Sequence, residues 1–223
     1  MVVEYLSIGG AGNRAPVFFG VLRAMQASRV RGRNWQEFSQ SLKGTAGSSA
    51  GALAALSICL GLDAETVTNI CMHLIDDIAN VFTKPDIGNL VDHYGIDNCA
   101  YLRSVISRVL RTAGLCEDTT FANMERLLRR EFACTGTNLN TRRGEIFSGR
   151  TTPDMKVVDA VAISMSVPVL FAPVLHDGDL YVDGSLTIRA PHMHFDFEKT
   201  EFWLLQPSAR NDINSWRDFV RCL

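Results

Sequence analysis

Apolar and polar positions along this chain follow two different periods. Val2–Ile8 is a short apolar run with β-branched residues, which predicts a buried strand. A helical pattern follows at Pro16–Ala27, and its proline stands near the helix start, where no backbone donor is needed. The next predicted strand lies near Leu42–Ala46, and the helix after it runs to about Leu60. The chain therefore begins with two strand–loop–helix units.

The same alternation continues to the end of the sequence, with two predicted interruptions. These are a polar connection at Arg31–Gln40 and a loop at Pro85–Tyr94. The further predicted elements are helices at Asp63–Phe82, Cys99–Thr112 and Phe121–Arg130, a strand–turn–strand at Glu131–Ser148, a helix at Lys156–Met165, strands at Asp179–Asp183 and Glu201–Gln206, and a helix at Ile213–Val220. Strands that alternate with helices predict an α/β fold. We expect a single domain over residues 1–223, with a mostly parallel central sheet flanked by helices.

Composition and charge exclude several classes of function. A formal charge of −2 leaves no basic excess to displace counterions, so no nucleic-acid partner is predicted. The six cysteines form no CxxC pair, and the histidines and carboxylates show no ligand spacing, so neither a disulfide frame, a metal site nor a cofactor is predicted. The N-terminus shows no signal peptide, and prolines interrupt the longest uncharged stretch, Ala160–Leu175. We therefore expect no transmembrane segment and a soluble, cytoplasmic protein.

The strongest local motif is a G-x-S-x-G sequence, Gly47-Ser48-Ser49-Ala50-Gly51, between a predicted strand and a predicted helix. A serine on this tight turn is held exposed at the carboxyl edge of a sheet, and Gly47 and Gly51 let the backbone segments approach each other. The following helix points its free amides and positive dipole end at the serine. The motif predicts Ser49 as the nucleophile of a hydrolase.

A glycine-rich loop, Gly9–Arg14, follows the first strand and has two interpretations. Gly10, Gly12 and Ala15 match the dinucleotide fingerprint G-x-G-x-x-G/A. That fingerprint needs an acidic residue after a second strand, whereas here the second strand runs into the Ser49 turn. The alternative is an oxyanion hole, in which backbone amides stabilise the negative oxygen that forms when an acyl carbonyl is attacked. We favour the oxyanion hole.

A serine nucleophile needs a group that takes its proton, and the residues leave two kinds of candidate. Asp183, in Leu180-Tyr-Val-Asp-Gly-Ser185, ends an apolar strand before a glycine turn, which holds its carboxylate at a sheet edge. The other candidates are histidines, none of which has a distinctive local signature: His73, His93, His176, His192 and His194. A Ser…Asp…His order is formally available.

Five sequence blocks resemble the patatin-like phospholipase family and occur in the family's order. They are GAGNRAPVFFGVL from Gly10, GTAGSSAGALAAL from Gly44, TNLNTRRGEIF from Thr137, AVAISMSVPVLFAP from Ala160, and YVDGS from Tyr181. Together the motifs span Leu6 to Pro191. The resemblance implies a three-layer α/β domain that hydrolyses acyl esters of lipids or phospholipids and makes transient contact with membrane surfaces.

The resemblance also implies a Ser–Asp dyad that works without a histidine. Carried over by position, Ser49 is the nucleophile and Asp183 the base that activates first the serine and then water. The oxyanion hole would be formed by backbone amides in a loop that Arg14 fixes, around Gly10, Ala11 and Gly12.

Three small residues depart from the family pattern: Ala11 and Ala15 stand where loop glycines are usual, and Ser185 replaces the last residue of Asp-Gly-Gly/Ala. A positive backbone angle at either alanine would be costly. Two other functions stay open at this point. One is a histidine-dependent α/β-hydrolase esterase, and the other is a non-catalytic lipid-binding module on the same scaffold.

Overall fold

The structure, a computed structural model, describes residues 3–14, 16–27, 34–70, 72, 87–192 and 194–205. Its strands are β1 (Tyr5–Ile8), β2 (Gly44–Gly47), β3 (Gly95–Asp97), β4 (Glu131–Asn138), β5 (Arg143–Ser148), β6 (Val169–Phe171), β7 (Val174–His176), β8 (Asp179–Asp183) and β9 (Thr200–Trp203). Seven of them form one sheet of order β7-β8-β4-β2-β1-β9, in which β5 also pairs with β4. Strands β9, β1, β2 and β4 run parallel, whereas β5, β8 and β7 are antiparallel to their neighbours.

The other regular elements are helices. They are α1 (Pro16–Ala27), α2 (Trp35–Ser41), α3 (Ala50–Cys59), α4 (described over 64–70), α5 (Ile87–His93), α6 (Ala100–Thr112), α7 (Phe121–Leu128) and α8 (Val157–Met165). Helix α3 lies on β2, α8 lies on β4, and α6 covers α8. Nearly all of α3 is buried and apolar, as expected of a helix enclosed on all sides. A second, smaller apolar cluster joins Ala46, Ala133 and Phe195.

The predicted α/β fold with a mostly parallel sheet is confirmed. The helix predicted at Pro16–Ala27 has the same bounds in the structure. The predicted helix at Ile213–Val220 and the second half of the one at Asp63–Phe82 lie outside the described residues. The assignment of the whole chain, residues 1–223, to one domain stays a prediction.

The prediction of irregular structure is wrong for two segments, each of which contains a helix. Helix α2 begins inside the predicted connection Arg31–Gln40 and ends one residue after it. Asn34 and Glu37 form a reciprocal capping box at its start. Its buried face consists mainly of Trp35 and Phe38, too short an apolar pattern to stand out in the sequence. Helix α5 likewise lies in the predicted loop Pro85–Tyr94. Strands β3, β6 and β7, of three residues each, were also not predicted.

The strand register brings three loops to the carboxyl edge of the sheet, where the parallel strands end. Ile8, at the end of β1, lies opposite Gly47, at the end of β2. Gly47 in turn lies opposite Cys134 of β4. Two residues further along β4, Gly136 lies opposite Asp183. Asp183 is therefore level with the residues that follow Gly47.

The opposite, amino edge of the sheet holds a half-buried ionic cluster around Glu131. His194 Nε2 lies 2.8 Å from Glu131 Oε1, and Arg150 donates a hydrogen bond to Oε2 at 2.5 Å. Burial by itself raises the pKa of Glu131, but the hydrogen bonds from His194 and Arg150 outweigh it and hold that pKa below its ordinary value. The cluster anchors the segment around His194 to the start of β4.

This lowered pKa predicts an acid-dependent contribution to stability. A carboxyl group with a depressed folded-state pKa stabilises the protein above its unfolded pKa, near 4.3, and loses this contribution as pH falls through the folded pKa. We expect wild-type protein to lose thermal stability more steeply than Glu131→Gln between about pH 5 and pH 3. Thermal melts across this range measure the difference. Parallel curves for the two proteins would show that Glu131 does not titrate in this way.

Candidate active site

Ser49 occupies a strained turn between β2 and α3. Its backbone angles are φ 55° and ψ −132°, a conformation that residues with a side chain rarely adopt, and only 5% of the residue is exposed. The Ser48 amide donates to the Ile8 carbonyl at 3.1 Å, and the Ser49 amide donates to Ser164 Oγ at 3.1 Å. These contacts with β1 and α8 hold the serine in place.

The glycines that flank this turn are required by close backbone approach. A Cβ atom on Gly47 would lie 2.2 Å from the Gly51 carbonyl oxygen, and one on Gly51 would lie 2.5 Å from the carbonyl oxygens of Ile8 and Gly9. Neither position can accept a methyl group unless the backbone moves. The G-x-S-x-G spacing thus has a steric cause in this structure.

We expect Gly47→Ala to lower the free energy of unfolding by about 3 kcal/mol or more, because the new methyl group would overlap rigid backbone. Gly20→Ala is the matched control. Gly20 lies in α1 with open space around its Cβ position, so alanine there should raise the free energy of unfolding by about 0.5–1 kcal/mol. Chemical denaturation measures both. Equal stability of Gly47→Ala and wild type would refute the steric explanation.

Asp183 meets Ser49 at the end of β8. The Ser49 hydroxyl donates a hydrogen bond of 2.6 Å to Asp183 Oδ2. The other carboxylate oxygen, Oδ1, accepts from the amide of Ser185 at 2.8 Å and from its hydroxyl at 2.7 Å. The Asp183 main chain is also fixed, since its amide donates to the Ser166 carbonyl and its carbonyl accepts from Thr137 Oγ1. Both side chains of the pair are therefore held in a defined geometry.

The environment of this carboxylate makes its ionised form less favourable than it is in water. Asp183 is 1% exposed, and burial raises its pKa above the ordinary value. The hydrogen bonds from Ser49 and Ser185 act in the opposite direction without cancelling the effect of burial. A buried carboxylate with a raised pKa, beside a serine hydroxyl, is suited to accept a proton.

The described histidines lie in other environments. His194 is paired with Glu131 at the amino edge, whereas Ser49 follows the carboxyl end of β2. The ring of His192 contacts the Ala190 carbonyl at 3.0 Å, and His176 lies 3.6 Å from the Asp177 carboxylate. Within the described ranges, no histidine hydrogen-bonds to Ser49 or Asp183. His73 lies outside those ranges.

The glycine-rich loop lies directly against the nucleophile. A Cβ atom on Gly10 would be 3.4 Å from the Cβ of Ser49 and 2.7 Å from the Cβ of Ser185. The Gly10 amide donates to the Arg189 carbonyl at 2.9 Å, so it is already engaged. In the part of the chain that the structure describes, the amides of Ala11 and Gly12 donate to no protein acceptor.

The loop tolerates its alanine at position 11. Gly12 carries a positive φ of 53°, whereas Ala11 is not among the described residues with positive φ, so its methyl group causes no backbone strain. The amide of Arg14 donates to the Ala11 carbonyl at 3.0 Å and closes the turn. Ala15 lies outside the described residues.

Three hydroxyl residues that support the site were not predicted from the sequence. Ser164 binds the Ser49 amide, Thr137 binds the Asp183 carbonyl, and Thr135 donates to Ser48 Oγ at 2.7 Å. Ser164 and Thr137 stand inside blocks that resemble the family, which was the only available signal. Among the described residues there is no group of His, Cys, Asp and Glu side chains that could hold a metal ion. Nor does any helix in those ranges have the length and apolar character needed to cross a membrane.

These elements lie within a segment that matches a known protein family. The family model described as patatin-like phospholipase matches residues 6–196. The chain belongs to the patatin-like phospholipase family. The match includes the strained serine turn, the glycine-rich loop and the Asp183 strand, so the resemblance that the sequence blocks indicated is confirmed.

Two viral proteins are similar to this patatin-like chain in sequence. Protein R571 of Acanthamoeba polyphaga mimivirus is 28% identical over 194 residues, which cover 87% of this chain and 62% of that protein. The probable lipid hydrolase 463L of Invertebrate iridescent virus 6 is 31% identical over 54 residues, or 24% of this chain and 19% of that protein. The chain thus spans less than two thirds of the length of either relative.

Two bacterial structures share the fold. VipD from Legionella pneumophila superposes with a TM-score of 0.61 and 17% identity, over 89% of this chain and 48% of VipD. ExoU of the Pseudomonas aeruginosa type III secretion system, in complex with SpcU, gives a TM-score of 0.51 and 18% identity, over 75% of this chain and 38% of ExoU. At these identities the similarity shows the fold alone.

Proposed function

We propose that this protein is a lipid acyl hydrolase that cleaves fatty-acyl ester bonds through a Ser49–Asp183 dyad. The observation that carries this proposal is the 2.6 Å hydrogen bond from the Ser49 hydroxyl to a buried carboxylate oxygen of Asp183. Membership of the patatin-like phospholipase family supports lipid esters as the substrate class. The similarity to a probable lipid hydrolase points in the same direction.

In the proposed mechanism, Asp183 acts as a general base. As Ser49 Oγ attacks the acyl carbonyl carbon, its proton moves to Asp183 Oδ2, and a tetrahedral intermediate forms. The protonated carboxyl group then gives the proton to the leaving alcohol, which leaves an acyl-enzyme. Asp183 next takes a proton from water, whose oxygen attacks the acyl carbon. As the fatty acid leaves, Asp183 returns this proton to Ser49 Oγ, which restores both groups. Burial raises the pKa of Asp183, which makes its carboxylate a stronger base than an exposed one.

We assign stabilisation of the oxyanion to the amides of Ala11 and Gly12. Both donate to no protein acceptor in the described ranges, and their loop abuts Ser49 through Gly10. The Gly10 amide is not assigned as an oxyanion donor, because it donates to the Arg189 carbonyl. Its lack of a side chain lets the loop approach Ser49. The positive end of the α3 dipole, at Ala50, adds to the favourable potential for negative charge.

The proposed partner is a lipid surface. Exposed leucines lie near the carboxyl edge that holds the dyad: Leu139 is 43% exposed, Leu175 is 69% exposed, and Leu180 is 36% exposed. The Leu139 amide donates to the Leu180 carbonyl, and Leu180 lies opposite Leu175, so the three residues are neighbours. Such an apolar patch beside the dyad suits transient contact with aggregated lipid.

Product analysis tests the proposed function. Wild type and Ser49→Ala are incubated with vesicles of mixed phospholipids, and released fatty acids and lysolipids are measured by mass spectrometry. We expect both products from wild type and neither from the variant. Equal release by the two proteins, or no release by wild type from phospholipid, neutral lipid and soluble ester substrates, would refute the proposal.

A further inference from the structure

We propose that Ser185 is a positioning residue that fixes the Asp183 carboxylate and presents Oδ2 to Ser49. The proposal rests on the proposed function, because it assigns Ser185 a part in setting up the same dyad. Ser185 acts through Asp183 and needs no contact with substrate.

The two oxygens of the Asp183 carboxylate have different hydrogen-bond partners. Oδ1 accepts both donors of Ser185, the amide at 2.8 Å and the hydroxyl at 2.7 Å, whereas Oδ2 accepts the Ser49 hydroxyl at 2.6 Å. An ionised carboxylate only accepts hydrogen bonds, so two donors on Oδ1 set the orientation of the whole group. The remaining oxygen, Oδ2, is thereby directed at the serine hydroxyl.

Close packing holds Ser185 in this position. A Cβ atom on Gly10 would lie 2.7 Å from the Cβ of Ser185 and 3.2 Å from its Oγ, so the glycine-rich loop closes over the side chain. Ser185 lies in a short 3-10 helix, Gly184–Leu186, that Asp183 caps. A Cβ atom on Gly184 would lie 2.1 Å from Thr135 Oγ1, so this turn is packed against β4. The hydroxyl of Ser185 is held between the loop and the carboxylate.

Among the described residues, the groups that hydrogen-bond to the Asp183 carboxyl group are uncharged, and no charged side chain contributes to its pKa shift. These groups are the Ser49 hydroxyl from the turn before α3, and the hydroxyl and amide of Ser185. The hydrogen bonds that Asp183 makes with Thr137 of β4 and with Ser166, the residue after α8, both involve its main chain. Burial raises the pKa of Asp183, and the Ser185 hydroxyl opposes this effect. Removal of that hydroxyl should therefore raise the pKa further and shift the active form of the base to higher pH.

The test is the pH dependence of kcat/KM on a soluble short-chain ester, which reports the ionisation of the free enzyme. We expect Ser185→Ala to move the acidic midpoint upward by about one pH unit, because a hydrogen bond to a charged group is lost. Ser185→Gly, a second variant without the hydroxyl, should shift the midpoint in the same direction. Thr187→Val is the matched control. It removes a hydroxyl two residues away that contacts Thr137 Oγ1 at 2.8 Å and not the carboxylate, so the midpoint should stay at the wild-type value.

A merely structural role for Ser185 would change thermal stability without moving the midpoint. Unshifted midpoints in both active Ser185 variants would overturn the proposal. Asp183→Asn, assayed in parallel, separates this failure from failure of the proposed function. An active Asp183→Asn enzyme would overturn the dyad itself, whereas an inactive one with unshifted Ser185 variants would overturn only the role of Ser185.

Discussion

Ser49→Ala is expected to lower acyl hydrolysis by roughly 10⁴-fold or more, as found when the nucleophile of a serine hydrolase is removed. The change deletes one oxygen and keeps the Cβ atom at a position with positive φ, so the strained turn keeps its shape. The variant should therefore melt near the wild-type temperature. Steady-state rates on a soluble ester, measured beside thermal melts, test this expectation.

The neighbouring serine provides the matched control for this result. Ser48 is also fully buried, but its Oγ accepts a hydrogen bond from Thr135, whereas the hydrogen bonds described for the Asp183 carboxylate come from Ser49 and Ser185. Ser48→Ala should cost about 1 kcal/mol of stability through the lost hydrogen bond and keep most of the activity. The reverse outcome, an active Ser49→Ala beside an inactive and folded Ser48→Ala, would move the nucleophile to Ser48.

The second large effect is expected for Asp183→Asn, which should lower the turnover number almost as far as Ser49→Ala. An asparagine can still accept the Ser185 hydrogen bonds, but its amide cannot take the proton of Ser49. The loss of activity in Asp183→Asn should not be accompanied by a loss of thermal stability. Because burial raises the folded-state pKa of Asp183, ionisation destabilises the folded protein at pH values above the ordinary pKa near 3.9. Asp183→Asn removes this cost, so its melting temperature at neutral pH should equal or exceed that of wild type.

Two further proteins make this comparison decisive. In a two-residue unit, the double variant Ser49→Ala/Asp183→Asn should be little worse than either single variant, since each change already disables the unit. His192→Ala should keep most of the activity, because its ring contacts the Ala190 carbonyl and not the dyad. A folded His192→Ala protein as inactive as Ser49→Ala would favour a conventional triad, in which loss of the histidine costs several powers of ten.

The two residues of the proposed dyad could be predicted from the sequence because each lies at the end of a strand. Ser49 follows a short apolar strand inside a G-x-S-x-G turn, and Asp183 ends another strand before a glycine. Strand ends meet at sheet edges, so both residues could be assigned to one site from local patterns and the family resemblance. That the two groups lie within hydrogen-bond distance depends on the β4 register, which pairs Gly136 with Asp183 and Cys134 with Gly47. No local pattern contains this register.

The remaining features depend on tertiary contacts. The family resemblance predicts that the Gly10 amide faces an oxyanion, whereas in the structure this amide donates to the carbonyl of Arg189, which lies far along the chain. Ser164 reaches the Ser49 amide across 115 positions of sequence. Serines are common in loops and helix ends, so nothing local distinguishes Ser164 or Ser185 from ordinary polar residues. Helix α2 was missed for a local reason. Its sequence signal is the cap at its start, and the helix is too short to show a helical pattern of apolar residues.

The most direct test of the dyad is the site of covalent modification by a fluorophosphonate, which loses fluoride and stays attached to the serine that it phosphonylates. Peptide mass spectrometry after labelling locates the adduct, and intact mass counts it. We expect one adduct per chain, on Ser49, with much slower labelling of Asp183→Asn and none at that peptide in Ser49→Ala. An adduct on another residue, or undiminished labelling of Ser49→Ala, would contradict the assignment of Ser49 as the nucleophile.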